Sequence, residues 1–151
     1  MTDTFPRIRA AAIDQRAHNV FYRQTQLERL CQGLIARIPD IREAIAADYG
    51  HSPAEIAIEI NQTMAAVKRD YASLQPVKAQ EEEYLVAAGK DAPMSRRPVG
   101  IVYIEPCMHT RFYSVVVPLS AAIAAGNCVI VLVSSILRPL HDAKTLADLL
   151  A

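Results

Sequence analysis

Neither sign of charge is in excess: 16 Lys and Arg stand against 16 Asp and Glu, and the basic residues are scattered. That balance removes the basic stripe a nucleic-acid binder needs. Cysteine is scarce. Cys31, Cys107 and Cys128 stand at unrelated spacings, which excludes a disulfide framework or a paired C-x-x-C metal motif and predicts a reducing, cytoplasmic setting. Nothing approaches the roughly 18 uninterrupted apolar residues of a membrane span. The opening MTDTFPRIR lacks the apolar core of a signal peptide. Internal repeats and low-complexity tracts are also missing, and His18, His51 and His141 are too isolated to predict a metal centre. What is present is a chain of 151 residues, 52% of them hydrophobic, enough for one domain with a real core.

Three parts follow along the chain. Residues 1–76 read as helical. A long helical stretch over 8–38, broken near His18-Asn19, puts Leu27, Leu30, Cys31, Leu34, Ile35 and Ile38 on one face at three-and-four spacing. Pro39-Asp40 punctuates, and a short helix over 41–49 stops at Gly50. Ser52-Pro53-Ala54-Glu55 then combines a capping box with proline at the first helical position. The helix it opens carries Ile56, Ile60, Met64, Val67, Tyr71 and Leu74 on its core side, and Gln75-Pro76 ends it. Residues 77–98 contain Glu81-Glu82-Glu83, a solvated face, and Tyr84-Leu85-Val86 among glycine and prolines; they read as a connector, either a hairpin or an extended arm.

The third part, residues 99–151, predicts an α/β unit of β-α-β-α type with a small parallel sheet. Residues 99–104 and 128–133 are the strand-like runs, and the nearly all-apolar 112–125 lies between them as a buried helix ending at Gly126. Residues 139–150 predict a closing helix, with Ser134 and Ser135 ending the strand or capping it. A two-stranded sheet that stops there has open edges, and a second copy of the chain is the simplest cover. The expectation is a homo-oligomer.

The loop 105–111 sits at the carboxyl edge of that sheet, where open α/β folds bind ligands. It holds the densest reactive cluster in the sequence. His109 is the natural proton carrier near neutral pH, with Glu105 or Tyr113 as the complementary acid or base. Cys107 gains thiolate character if the helix start lowers its pKa. Arg111, with the helix amides, suits an enolate or carboxylate, and Met108, Ser114 and Tyr103 complete the expected substrate wall. Arg111 opens an otherwise buried helix, where a charge needs a partner or solvent. A pocket wall is one explanation.

Arg23-x-x-Gln26-Leu27, Asp48-Tyr49-Gly50-His51-Ser52, Glu59-Ile60, Pro98-Val99-Gly100-Ile101-Val102 and above all Pro118-Leu119-x-x-Ala122-Ile123-Ala124-Ala125-Gly126-Asn127 resemble the N-terminal part of an aldehyde dehydrogenase. The resemblance runs from about residue 20 to the end. It implies the opening helices and first βαβ of that family's NAD(P)-binding domain, cut short of its glycine-rich turn, general base and catalytic cysteine. The departures fall on the chemistry. Where the family's P-W-N-Y-P motif offers an asparagine to the substrate oxygen, this chain has Pro106-Cys107-Met108-His109-Thr110, and methionine cannot donate that bond. Where K-P-S-E contacts the adenosine ribose, it has Leu132-Val133-Ser134-Ser135. No cofactor is therefore expected. Two readings of the altered loop follow: decay, in which a truncated relative keeps its fold while the loop drifts, and repurposing, which is favoured because the strands and buried helix stay apolar while the loop gains reactive side chains. The expected function is a cofactor-independent enzyme that isomerises, dehydrates or cyclises a small apolar carbonyl compound. The alternative is a non-catalytic protein that pairs with a full-length dehydrogenase-like partner.

Overall fold

A computed structural model describes residues 4–90 and 97–132. The expected closing helix over 139–150, Ser134 and Ser135 lie outside the described residues. Helix α1 spans Thr4–Ile13 and α2 spans Val20–Ala36, separated by a short 3-10 turn at Arg16–His18. The break expected near His18-Asn19 is a cap: the Asn19 Oδ1 accepts from the Phe21 and Tyr22 amides at 2.9 and 3.2 Å and restarts the helix.

Helix α3 spans Ile38–Tyr49 and ends at Gly50, whose φ of 63° is the left-handed conformation that glycine adopts without strain. Pro39 and Asp40 lie inside its first turn, so they open this helix instead of punctuating before it. Proline is tolerated there because a first-turn N–H has no intrahelical partner to lose. Helix α4, Pro53–Ser73, starts at the expected capping box: the Glu55 amide donates to Ser52 Oγ at 3.3 Å, and the Ser52 amide donates to Glu55 Oε2 at 2.8 Å.

Residues 77–87 form neither a hairpin nor an extended arm. They belong to helix α5, Pro76–Ala87. Pro76 again sits in the first turn, and Lys78, Ala79, Gln80 and the three glutamates are good helix formers that outweigh the short Tyr84-Leu85-Val86 run. No residue of α5 is buried, so it lies on the outside of the helical part.

Strand β1, Ile101–Ile104, helix α6, Arg111–Ala124, and strand β2, Cys128–Val131, make the expected βαβ unit. The strands are parallel, with Ile101 opposite Cys128 and Ile104 opposite Val131. The turn into β2 explains its Gly-Asn pair. Gly126 has φ 84°, and a Cβ there would stand 3.0 Å from the Ala17 carbonyl oxygen. Asn127 Oδ1 accepts from the Gly100 amide at 3.0 Å, fixing the start of β1 beside the end of α6. Arg23 reaches across from α2 and donates to the Ala124 carbonyl at 2.8 Å, satisfying one of the last acceptors of α6. Burial pushes the Arg23 pKa below its ordinary value, and Glu83 opposes that shift.

The core runs between α2, α3, α4 and α6. Leu27, Leu30 and Leu34, Ile41 and Ile45, Ile56, Ile60 and Val67 meet Phe112, Val115, Val116 and Leu119, with Ile104 below. Cys31, Met64 and Leu74 pack half-buried against it, as their spacing predicts. Ile35 and Tyr71 do not: both are exposed, because the apolar stripe is narrower than the sequence pattern suggests and the flank of each helix faces solvent. Among the described residues, no helix is long and apolar enough to cross a membrane.

Candidate functional site

The first turn of α6 brings together groups from three helices. Thr110 occupies the cap position, yet its side chain caps nothing. The acceptor comes from α4: Glu59 Oε1 takes the Tyr113 amide at 3.1 Å. Glu59 is only 9% exposed, so a nearly buried carboxylate sits at the positive end of a helix, where the dipole and the donor both favour it. Thr63 braces the same stretch by donating to the Glu59 carbonyl at 2.8 Å.

Arg111 finds its partner in Asp48, near the end of α3. Nη1 lies 3.2 Å from Oδ1, with the two side chains 11% and 17% exposed. The pair satisfies the charge that opens α6, so no pocket wall is needed to explain it. Ser114 is committed to the loop as well. Its Oγ accepts from the Cys107 amide and donates to the Arg111 carbonyl, both at 3.1 Å, which folds residues 107–110 back over the helix start.

Beside this turn lies a cleft of about 450 Å³ lined by His51, Glu55, Ile58, Glu59, Gln62, Thr110 and Tyr113. His51 Nδ1 stands 4.0 Å from Glu55 Oε2. The Ser52 backbone amide, then its hydroxyl, and finally His51 hold the Glu55 carboxyl below the usual carboxylate range. His51 is therefore part of a cluster with Glu55 and not isolated, although the described residues place no group of three His, Cys, Asp or Glu to hold a metal.

Of the expected site residues, Tyr113 alone lines this cleft. Glu105, Cys107 and His109 are exposed on the loop. Met108 is 63% exposed and Tyr103 55% exposed on β1. The loop is thus an open surface, and its reactive side chains do not converge on an enclosed space. Glu59, Asp48 and His51, absent from the expected site, are added to it by the structure. Glu59 carries the signal that finds it, a charge between Ile56 and Thr63 on the buried face of α4.

At the carboxyl end of β2 stands Leu132, exposed and apolar, with its amide bonded to the Ile104 carbonyl at 2.9 Å. It offers no side-chain donor or charge to a ribose hydroxyl. Among the described residues of that edge, Leu132 does not fit the adenosine half of a dinucleotide.

A model of the Aldehyde dehydrogenase family matches residues 6–145. Aldehyde dehydrogenase family 3 member A2 of Macaca fascicularis is 30% identical over 152 residues, an alignment covering 95% of this chain and 30% of that protein. The Rattus norvegicus protein of the same name is 32% identical with the same coverage of both. A second Rattus norvegicus protein, "Aldehyde dehydrogenase, dimeric NADP-preferring", is 27% identical over 158 residues, covering 100% of this chain and 33% of its own length. No solved structure matches. The chain spans about 30% of the length of the curated relatives it matches. The motifs around Pro118 to Asn127 and the βαβ unit they build agree with that extended match, and the chain belongs to the aldehyde dehydrogenase family.

Proposed function

We propose that this chain acts without catalysis, pairing through its small sheet with a longer, dehydrogenase-like chain of the same family. One observation carries the reading: apolar side chains are left in solvent around the sheet. Val99 is 84% exposed and Tyr103 55%, and all four residues of the apolar strand β2 are only half-buried. Among the described residues each strand has one edge that pairs with no other strand, and unpaired strand edges are templates for a partner. The open loop supports the same reading. Exposed side chains lack the water-excluded setting that makes positioned acids and bases effective. A relative is named as dimeric, which supports association within this fold. We place the chain in the cytoplasm, consistent with free thiols at Cys31, Cys107 and Cys128.

Light scattering after size exclusion tests the pairing, using the chain alone and mixed with a full-length family 3 aldehyde dehydrogenase. A co-eluting complex is expected. Tyr103→Asp, at a side chain already in solvent, should abolish the complex and leave the melting temperature unchanged. A monomer that leaves the partner's elution unaltered overturns the proposal, and a stable homo-oligomer reassigns the sheet to a second copy.

A catalytic reading keeps one observation in its favour. The cleft at the start of α6 sets Tyr113 beside His51, Glu55 and Glu59, a set able to exchange protons. In that reading the chain is the cofactor-independent enzyme, isomerising, dehydrating or cyclising a small apolar carbonyl compound. Metabolite profiles from cells with the intact gene, without it, and with Tyr113→Phe separate the two. Loss of one product in both altered strains assigns catalysis.

A further inference from the structure

We draw no further inference here: the strongest candidate, the acidic cleft between α4 and the first turn of α6, belongs to the site already described, and its two carboxylates are already engaged by Ser52 and by the Tyr113 amide.

Discussion

Replacing Glu59 by Ala should destabilise the protein through the start of α6 more than through any loss on α4 itself. The carboxylate is 9% exposed and accepts the Tyr113 amide at 3.1 Å. Its removal leaves a first-turn donor unsatisfied, since Thr110 provides no side-chain cap. A hydrogen bond to a charged group contributes about 1.5–3 kcal/mol and a helix cap about 0.5–2 kcal/mol. These are two descriptions of one interaction and do not add, so about 2 kcal/mol is expected. For a chain of this size each kcal/mol moves the melting temperature by roughly 3 °C, giving a drop of about 6 °C. Glu59→Gln keeps an acceptor and loses only the charge, so it should cost less than about 1 kcal/mol. The assay is circular dichroism melting of the wild type and both variants, with hydrogen exchange at the Tyr113 amide as the local readout. If Ala melts with the wild type, or Gln melts as low as Ala, Glu59 is not the cap of α6.

Arg111→Ala should cost about 2 kcal/mol by stranding Asp48, and the Asp48→Ala/Arg111→Ala double variant should lose less than the sum of the single changes; additive losses in a denaturant series would dissolve the pair. Glu55 titrates below its ordinary value because of Ser52, so the stability it contributes is full above the unfolded value of about 4.3 and fades as pH falls through the lower folded value. The melting advantage of the wild type over Glu55→Gln should therefore vanish in strong acid, and an advantage that persists there would refute the capping account. Calorimetry with NAD and NADP should find binding no tighter than about millimolar, near 4 kcal/mol, given Leu132 at the edge of β2; a micromolar constant would show that the edge takes a dinucleotide after all.

What the chain reveals by itself is what local chemistry fixes. Ser52, Pro53 and Glu55 mark the start of α4 to the residue, and Gly126-Asn127 marks the turn into β2. Strand β1 is shorter than its apolar run, because pairing begins only where Ile101 meets Cys128. Residues 77–87 carry a mixed signal, because three residues of strand-like character sit within a stretch of helix formers. The site was harder to read. Arg111 is a charge whose partner, Asp48, lies 63 positions earlier, beyond the reach of any local pattern. Glu59 was visible as a charge on an apolar face, but only tertiary packing reveals that the face meets the open end of another helix. Spacing brings Glu105, Cys107 and His109 close along the chain, while their exposure on the loop depends on the tertiary structure and is not written in spacing.

Both ends of α6 are completed by side chains remote in sequence, Glu59 at a separation of 54 residues and Arg23 at 101. Helix α6 is closed partly by its own Gly126-Asn127 turn and partly by these two side chains. Its Tyr113 amide and Ala124 carbonyl wait for α4 and α2, contacts made across long stretches of chain whose ordering entropy is spent before they form. Synthesis from the N-terminus suits that order, since both closing groups emerge well before the helix they close. Cutting the chain between α5 and β1 would part both pairs: the second piece would keep its own Gly126-Asn127 turn but lose the acceptor for the Tyr113 amide and the donor to the Ala124 carbonyl, and the first would keep a half-buried Arg23 bonded to the His18 carbonyl alone.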